Sequence, residues 1–243
     1  MTPPVFLVDE LPSGASAVLD GAEGRHAATV RRLGPGERVQ LADGAGGVAE
    51  CEVVSTQADV LQLRVVSRST LDPPEPAVLV VQALPKGDRG TLAVELLTEL
   101  GVDEIVPWAA ARCIAQWRGE RGAKALAHWR SAARAATKQS RRAWAPRVRE
   151  LASTRDVCGL IGGAAGGLVL HEEALRSLTD ASLPTSGALV LVVGPEGGLT
   201  EGELTAFRAA GASAVRLGAP VLRTSTAGAA ALAALSPRLG RWA

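Results

Sequence analysis

The chain has 243 residues, 47% of them apolar, with 26 Lys or Arg against 25 Asp or Glu and a net charge of +1. That length supports one large domain or two small ones with real cores, and the near balance of charge excludes a polycation that holds nucleic acid by bulk charge alone. No run approaches the ~18 consecutive apolar residues of a membrane span, and residues 1–11 lack the basic-then-apolar order of a secretory signal, so neither a membrane partner nor export is expected.

Cys51, Cys113 and Cys158 are far apart and odd in number, and His26, His128 and His171 lack ligand spacing. Neither a disulfide framework nor a metal site is expected, and free thiols fit a reducing cytoplasm. Only Lys86, Lys124 and Lys138 are lysines; every other basic residue is arginine. The planar arginine fork suits phosphate, although a GC-rich coding sequence gives the same bias.

Residues 5–70 read as short strands with tight turns, among them Val39–Ala42, Val48–Val54 and Leu61–Val65, which suggests a small barrel or sandwich. Gly44–Ala49 matches the G-x-G-x-x-A dinucleotide fingerprint, but that motif needs a helix at its glycines, and here Glu50–Val54 continues as a strand. The glycines therefore predict a hairpin turn. Leu71–Pro76 is a proline-rich break and the expected domain boundary.

Beyond it, Ala77–Ala83 is a continuous apolar run of the kind buried parallel strands show. Arg89–Leu100 has helical spacing and stops at Gly101. Ile105–Pro107 reads as a strand, Ala123–Trp144 as a long helix closed by Pro146, and Gly162–Gly167 as a flexible loop. Leu168–Leu170 and Ala188–Val193 are two more buried strands. Thr200–Glu203 opens a helix with a capping-box-like start, Ala214–Leu217 is a strand, and Ala227–Leu235 is the last helix. Strands alternating with helices predict an α/β domain with a largely parallel sheet.

Three features carry chemistry. Gly194-Pro195-Glu196-Gly197-Gly198 follows a buried strand and precedes a capped helix, where ligands of open α/β sheets bind. An ordinary strand-to-helix turn fits equally well, except that turning needs no carboxylate, and Glu196 is one. Leu217–Ala227 follows the next strand and places Arg223 with Thr224, Ser225 and Thr226 at a helix N-terminus. The hydroxyls cap such a helix, but an arginine at its positive end is electrostatically misplaced and points to an anion or a polarised carbonyl. Finally, Arg121–Arg149 holds nine Lys or Arg and no acid. Arg130, Arg134, Lys138, Arg141 and Arg142 form one helical stripe opposite Trp129, Ala132, Ala133 and Ala136, a pattern that favours phosphate over a merely solvated face.

Together these residues resemble the 16S ribosomal RNA uridine-N3 methyltransferases of the SPOUT superfamily. The match rests on Gly194–Thr200 with Glu203, on Leu217-Gly218 and Val221–Ala227, on Lys86-Gly87-Asp88-Arg89, Thr98–Val102 and Gln139-Ser140-x-Arg142, and on Arg25-His26 with Val30–Leu33 and Gly36. It spans nearly the whole chain.

The resemblance implies an α/β fold: a SPOUT-type trefoil-knot methyltransferase domain over 77–243 behind a small N-terminal PUA-like β-barrel RNA-binding domain over 1–72. It implies S-adenosyl-L-methionine as cofactor, held by Leu170, His171, Gly194, Pro195, Glu196, Gly197, Gly198, Leu217, Gly218, Val221, Leu222 and Thr226. It implies RNA contact through Arg25, Arg31, Arg32, Lys86, Arg89, Arg134, Lys138, Arg141 and Arg142, catalytic roles for Arg223 and Glu196, and no metal. The implied partners are 16S ribosomal RNA of the small ribosomal subunit and a second copy, joined through the C-terminal helix, in the cytoplasm. Ser225 stands where relatives carry Glu, and Lys138 where an acid is usual. The rival readings are a methyltransferase for another RNA and an RNA-binding homologue impaired in catalysis.

Overall fold

The computed structural model describes residues 3–242, which divide into two compact units: the chain up to Pro73 with Thr137–Ala145, and Pro74–Ala136 with the chain from Pro146 onward.

The first unit holds β1 (Val5–Leu7), β2 (Ser16–Leu19), a short helix α1 (Gly21–Arg25) that runs into a π-turn (His26–Val30), β3 (Arg38–Ala42), β4 (Gly47–Gln57) and β5 (Val60–Thr70). The strands form one sheet ordered β1-β3-β4-β5-β2. β4 and β5 are 11 residues each, longer than the short strands expected, and their register shifts at Glu50/Cys51 and Val53/Ser55. Alternation decides the core: Ala49, Cys51 and Val53 of β4 point inward with Leu61 and Leu63 of β5, onto Phe6, Val39 and Leu41.

The second unit holds β6 (Ala77–Ala83), α2 (Arg89–Glu99), β7 (Glu104–Trp108), α3 (Gly119–Gln139, whose last residues belong to the first unit), β8 (Arg147–Val148), α4 (Thr154–Gly162), β9 (Gly166–Leu170), β10 (Ala188–Val193), α5 (Glu201–Ala209), β11 (Ser213–Val215) and α6 (Thr224–Leu235). Six strands, all parallel to their neighbours, lie in the order β11-β9-β10-β6-β7-β8. The apolar runs are continuous because both faces are covered. Val78, Val80, Leu189 and Leu191 face Val94 and Leu97 of α2, Trp129 of α3 and Leu232 of α6. Leu79, Val81, Val190 and Val192 face Val157 and Ile161 of α4 and Phe207 of α5.

Several local expectations shift. α3 begins four residues earlier and ends five earlier than the spacing predicted. Arg141 adopts φ 58°, and the Arg142 amide donates back to the Thr137 carbonyl at 3.0 Å, which closes the helix without a glycine. The expected loop at 162–167 narrows to 163–165, with Gly162 ending α4 and Gly166 and Gly167 opening β9. Gly167 pairs with Val190 within β9, and glycine suits that position because a Cβ there would lie 3.0 Å from Ile161 and 3.2 Å from Ala212. α4 itself was not expected, although Ser153 and Asp156 form its capping box.

Candidate active site

In a parallel sheet every carboxyl end lies on one edge, and the connections leaving that edge of the second unit build a cavity of about 290 Å³. β9 contributes Leu170 and, just past its end, His171 and Glu172; β10 contributes Val193 and the Gly194 turn; β11 leads into Arg216, Leu217 and Gly218. Pro220, Val221, Leu222 and Arg223 form the lip, with Thr224 and Ala227 of α6 behind them. The walls are mostly apolar, and the charged groups are Glu172, Glu196, Arg216 and Arg223.

The Gly194 turn is held from two sides. The capping box predicted at Thr200 is present: Thr200 Oγ1 accepts from the Glu203 amide at 3.2 Å, and Glu203 Oε2 accepts from the Thr200 amide at 2.9 Å. Buried Glu203 also accepts from the Ala111 amide at 2.8 Å, which fixes the loop after β7 against the start of α5. From that loop Arg112 donates to the carbonyls of Gly197 at 3.0 Å and Leu199 at 3.3 Å. A Cβ on Gly197 would stand 3.1 Å from Arg112 Cβ, so this glycine faces Arg112 and is absent from the cavity wall. Gly198 adopts φ 71°, the left-handed region that favours glycine.

Glu196 is exposed at the mouth, where its Oε1 accepts from the Lys86 amide at 3.2 Å. Arg223 is the extended residue before α6, and its side chain caps nothing. Its carbonyl takes the amides of Thr226 and Ala227 at 2.9 Å and the Thr226 hydroxyl at 3.1 Å. Thr226 is thereby spent on the helix turn and does not line the cavity. Ser225 is buried in the same turn, also outside the lining. Burial pushes the nearby Cys113 thiol up, the carboxylates of Glu196 and Glu203 push it the same way, and hydrogen bonds with Ala110 and Leu84 oppose them.

Residues 73–236 match the family model for the RNA methyltransferase domain, and residues 19–66 match that for the RNA methyltransferase PUA domain. Ribosomal RNA small subunit methyltransferase E of Mycobacterium tuberculosis is 50% identical over 98% of this chain and 93% of its own length. The chain belongs to the small subunit methyltransferase E family. The Bacillus subtilis protein of that name is 30% identical over 94% of this chain and 91% of its own length. The crystal structure of the Neisseria gonorrhoeae family member bound to S-adenosyl methionine is 32% identical, covers 98% of both chains and superposes with a TM-score of 0.86.

Of the residues expected at the cofactor in this family member, Leu170, His171, Gly194, Pro195, Glu196, Gly198, Leu217, Gly218, Val221 and Leu222 meet at the cavity, while Gly197 and Thr226 do not. Sequence reading missed Glu172, Arg216 and Arg112. The first two lie within two residues of strand ends and were open to the same logic as the Gly194 turn; Arg112 carried no local signal. The expected RNA contacts fall in both units. Lys86 and Arg89 are exposed beside Glu196 in the second unit, and Arg134 is exposed on α3. In the first unit Arg31, Arg32 and Arg141 are exposed, Arg142 is half-buried, and Arg25 pairs with Asp59 at 3.1 Å. Lys138 is engaged within the fold: its Nζ lies 2.7 Å from Glu23 and 5.2 Å over the Phe6 ring. The acid-free run 121–149 likewise finds acids from afar, Arg130 pairing with Glu150 at 2.7 Å and Arg149 with Glu104.

Proposed function

We propose that this protein transfers the methyl group of S-adenosyl-L-methionine to N3 of a uridine in 16S ribosomal RNA of the small ribosomal subunit. The observation that carries this reading is the convergence of three strand-end loops on one largely apolar cavity, in a family whose gonococcal member is bound to S-adenosyl methionine. The residues present fit that molecule. Leu170, Val193, Leu217 and Ala227 offer apolar walls to a purine, Glu172 offers an acceptor to hydroxyls or an ammonium, and Arg216 offers a donor to a carboxylate. The trefoil knot proposed for the second unit would pass the Leu217–Thr226 segment through an earlier loop. The proposed dimer meets through the region of α6, where Val221 is 77% and Leu222 40% exposed before the helix begins, an apolar surface a second copy would cover. Among the described residues no helix is long and apolar enough to cross a membrane, and a cytoplasmic location is the reading that action on ribosomal RNA supports.

When bound, the cofactor supplies an electrophilic methyl on a sulfonium leaving group. The chain must align the uracil and manage the N3 proton, because neutral N3 is a poor nucleophile. Glu196 is the carboxylate at the mouth with a fixed orientation, since the Lys86 amide holds one of its oxygens; it accepts the N3 proton. Arg223 projects from the lip with no capping duty and stabilises the negative charge that develops on a uracil carbonyl. Ser225, buried in the first turn of α6 and outside the cavity lining, takes no part in that proton transfer.

The test is Glu196→Gln and Arg223→Ala, with S-adenosylhomocysteine affinity and single-turnover methylation measured separately. Each variant is expected to retain binding and lose about 10²–10³-fold in turnover. Equal loss of binding and turnover would make them pocket residues only, and a wild-type chain that fails to bind S-adenosylhomocysteine would favour an RNA-binding homologue impaired in catalysis. Mass mapping of RNA from a deletion strain checks the substrate: one methyl missing from a small-subunit uridine is expected, and a loss elsewhere would reassign the target.

A further inference from the structure

A second, more open cavity of about 650 Å³ adjoins the first and is lined by Lys86, Gly87, Asp88, Arg89, Leu92 and Glu196. Glu196 is the residue the two cavities share. Its carboxylate is held at that boundary by the Lys86 amide. The cavity has two kinds of wall. Lys86 and Arg89 are exposed cations that share the lining with the carboxylates of Asp88 and Glu196, and Leu92 is a large apolar side chain left 44% exposed on α2. Two cations beside one exposed apolar side chain match a nucleotide, with its phosphate on the cations and its base against Leu92. The volume falls within the ~300–1000 Å³ of small-molecule pockets.

Taking the methyltransferase reading of the first cavity as given, we infer that this second cavity receives the target nucleotide, a uridine 5′-phosphate unit extruded from its strand. Enzymes that act on a base take it out of the stack, and they need a pocket for it next to the reactive group. Lys86 and Arg89 hold the 5′-phosphate, Leu92 lies against the uracil face, and Glu196 stands between base and cofactor. This makes Lys86 and Arg89 positioning residues for one nucleotide instead of general RNA contacts. One residue, Lys86, then both binds the phosphate through its ammonium and orients the Glu196 carboxylate through its amide.

The experiment uses the full-length ¹⁵N-labelled protein, with and without S-adenosylhomocysteine, titrated with uridine 5′-monophosphate, uridine and orthophosphate in parallel. The expected result is that the monophosphate perturbs the amides of Lys86, Gly87 and Leu92. Lys86→Ala and Arg89→Ala should each weaken it about tenfold or more, the loss of one charged hydrogen bond. Leu92→Ser should weaken uridine and the monophosphate alike, and S-adenosylhomocysteine affinity should stay within about twofold in all three variants. Because the three side chains are exposed, loss of folding does not confound the result. The inference is overturned if the monophosphate perturbs only amides elsewhere, if the variants bind it like the wild type, or if orthophosphate alone reproduces the response, which would leave an anion site only. A wild-type chain that binds the monophosphate at Lys86 but not S-adenosylhomocysteine would sink the methyltransferase reading and leave the nucleotide pocket standing.

Discussion

The molecule carries two glycine-rich turns that look alike in sequence and serve opposite ends. Gly44–Gly47 joins β3 to β4, and its glycines make room for the chain itself. Asp43 folds the turn by accepting from the amides of Ala45 at 2.7 Å and Gly47 at 2.9 Å. Gly46 then receives Trp144: a Cβ there would stand 2.5 Å from the indole and 2.7 Å from the Leu71 carbonyl. The Gly46 amide donates to Ala143, the Ala145 amide donates to Gly44, and Trp144 Nε1 donates to Leu71 at 3.2 Å. Gly194–Gly198 is different. One of its glycines is crowded by Arg112, but the turn as a whole borders a cavity. Glycines in a turn record that something comes close to the backbone. Whether that is another segment or a ligand depends on what the fold brings there.

The largest effect is expected at Gly46. Gly46→Val sets a branched side chain into the indole at φ 93°, so overpacking and left-handed strain add to about 3–4 kcal/mol of lost stability. Urea unfolding should register this, while the folded fraction keeps its wild-type affinity for S-adenosylhomocysteine. A variant that also loses that affinity would show the two turns to be coupled. Arg112→Ala tests the other turn. Arg112 is exposed, so stability should change by less than about 1 kcal/mol. Loss of its bonds to Gly197 and Leu199 should weaken S-adenosylhomocysteine about tenfold by calorimetry, with Arg112→Lys restoring part of the loss. Unchanged affinity would mean the turn holds its shape without that side chain.

The smallest effect lies in the first unit. Burial lowers the pKa of His26, the charges of Lys138 and Arg31 lower it further, and Glu23 opposes them. The unfolded imidazole therefore binds its proton more readily than the folded one. This contribution to stability is complete above the ordinary imidazole pKa of about 6.5 and is lost as the pH falls below it. His26→Gln should flatten the urea midpoint between about pH 5 and pH 8, and an unchanged pH profile would assign the slope to other groups.

Much of the second unit was legible along the chain. The runs 77–83 and 188–193 are buried parallel strands, the Thr200 capping box forms, and Trp129, Ala132, Ala133 and Ala136 are the buried side of α3. The end of α3 was not legible, because Arg141 takes a left-handed conformation usually left to glycine, and residues 143–145 lie beside Gly44 and Gly46 instead of extending the helix. Nor was the engagement of Lys138, Arg130 and Arg149 with acids that lie 115, 20 and 45 positions away.

Periodicity, caps and glycine placement act over a few residues, so most strands and helices, their apolar faces and the two glycine turns could be read along the chain. The strand order β11-β9-β10-β6-β7-β8, the Arg112 clamp 85 positions from Gly197, and the difference between a turn filled by Trp144 and one left open belong to the tertiary structure. These depend on which distant segments pack together, and packing is settled by total burial across the fold, not by any local pattern.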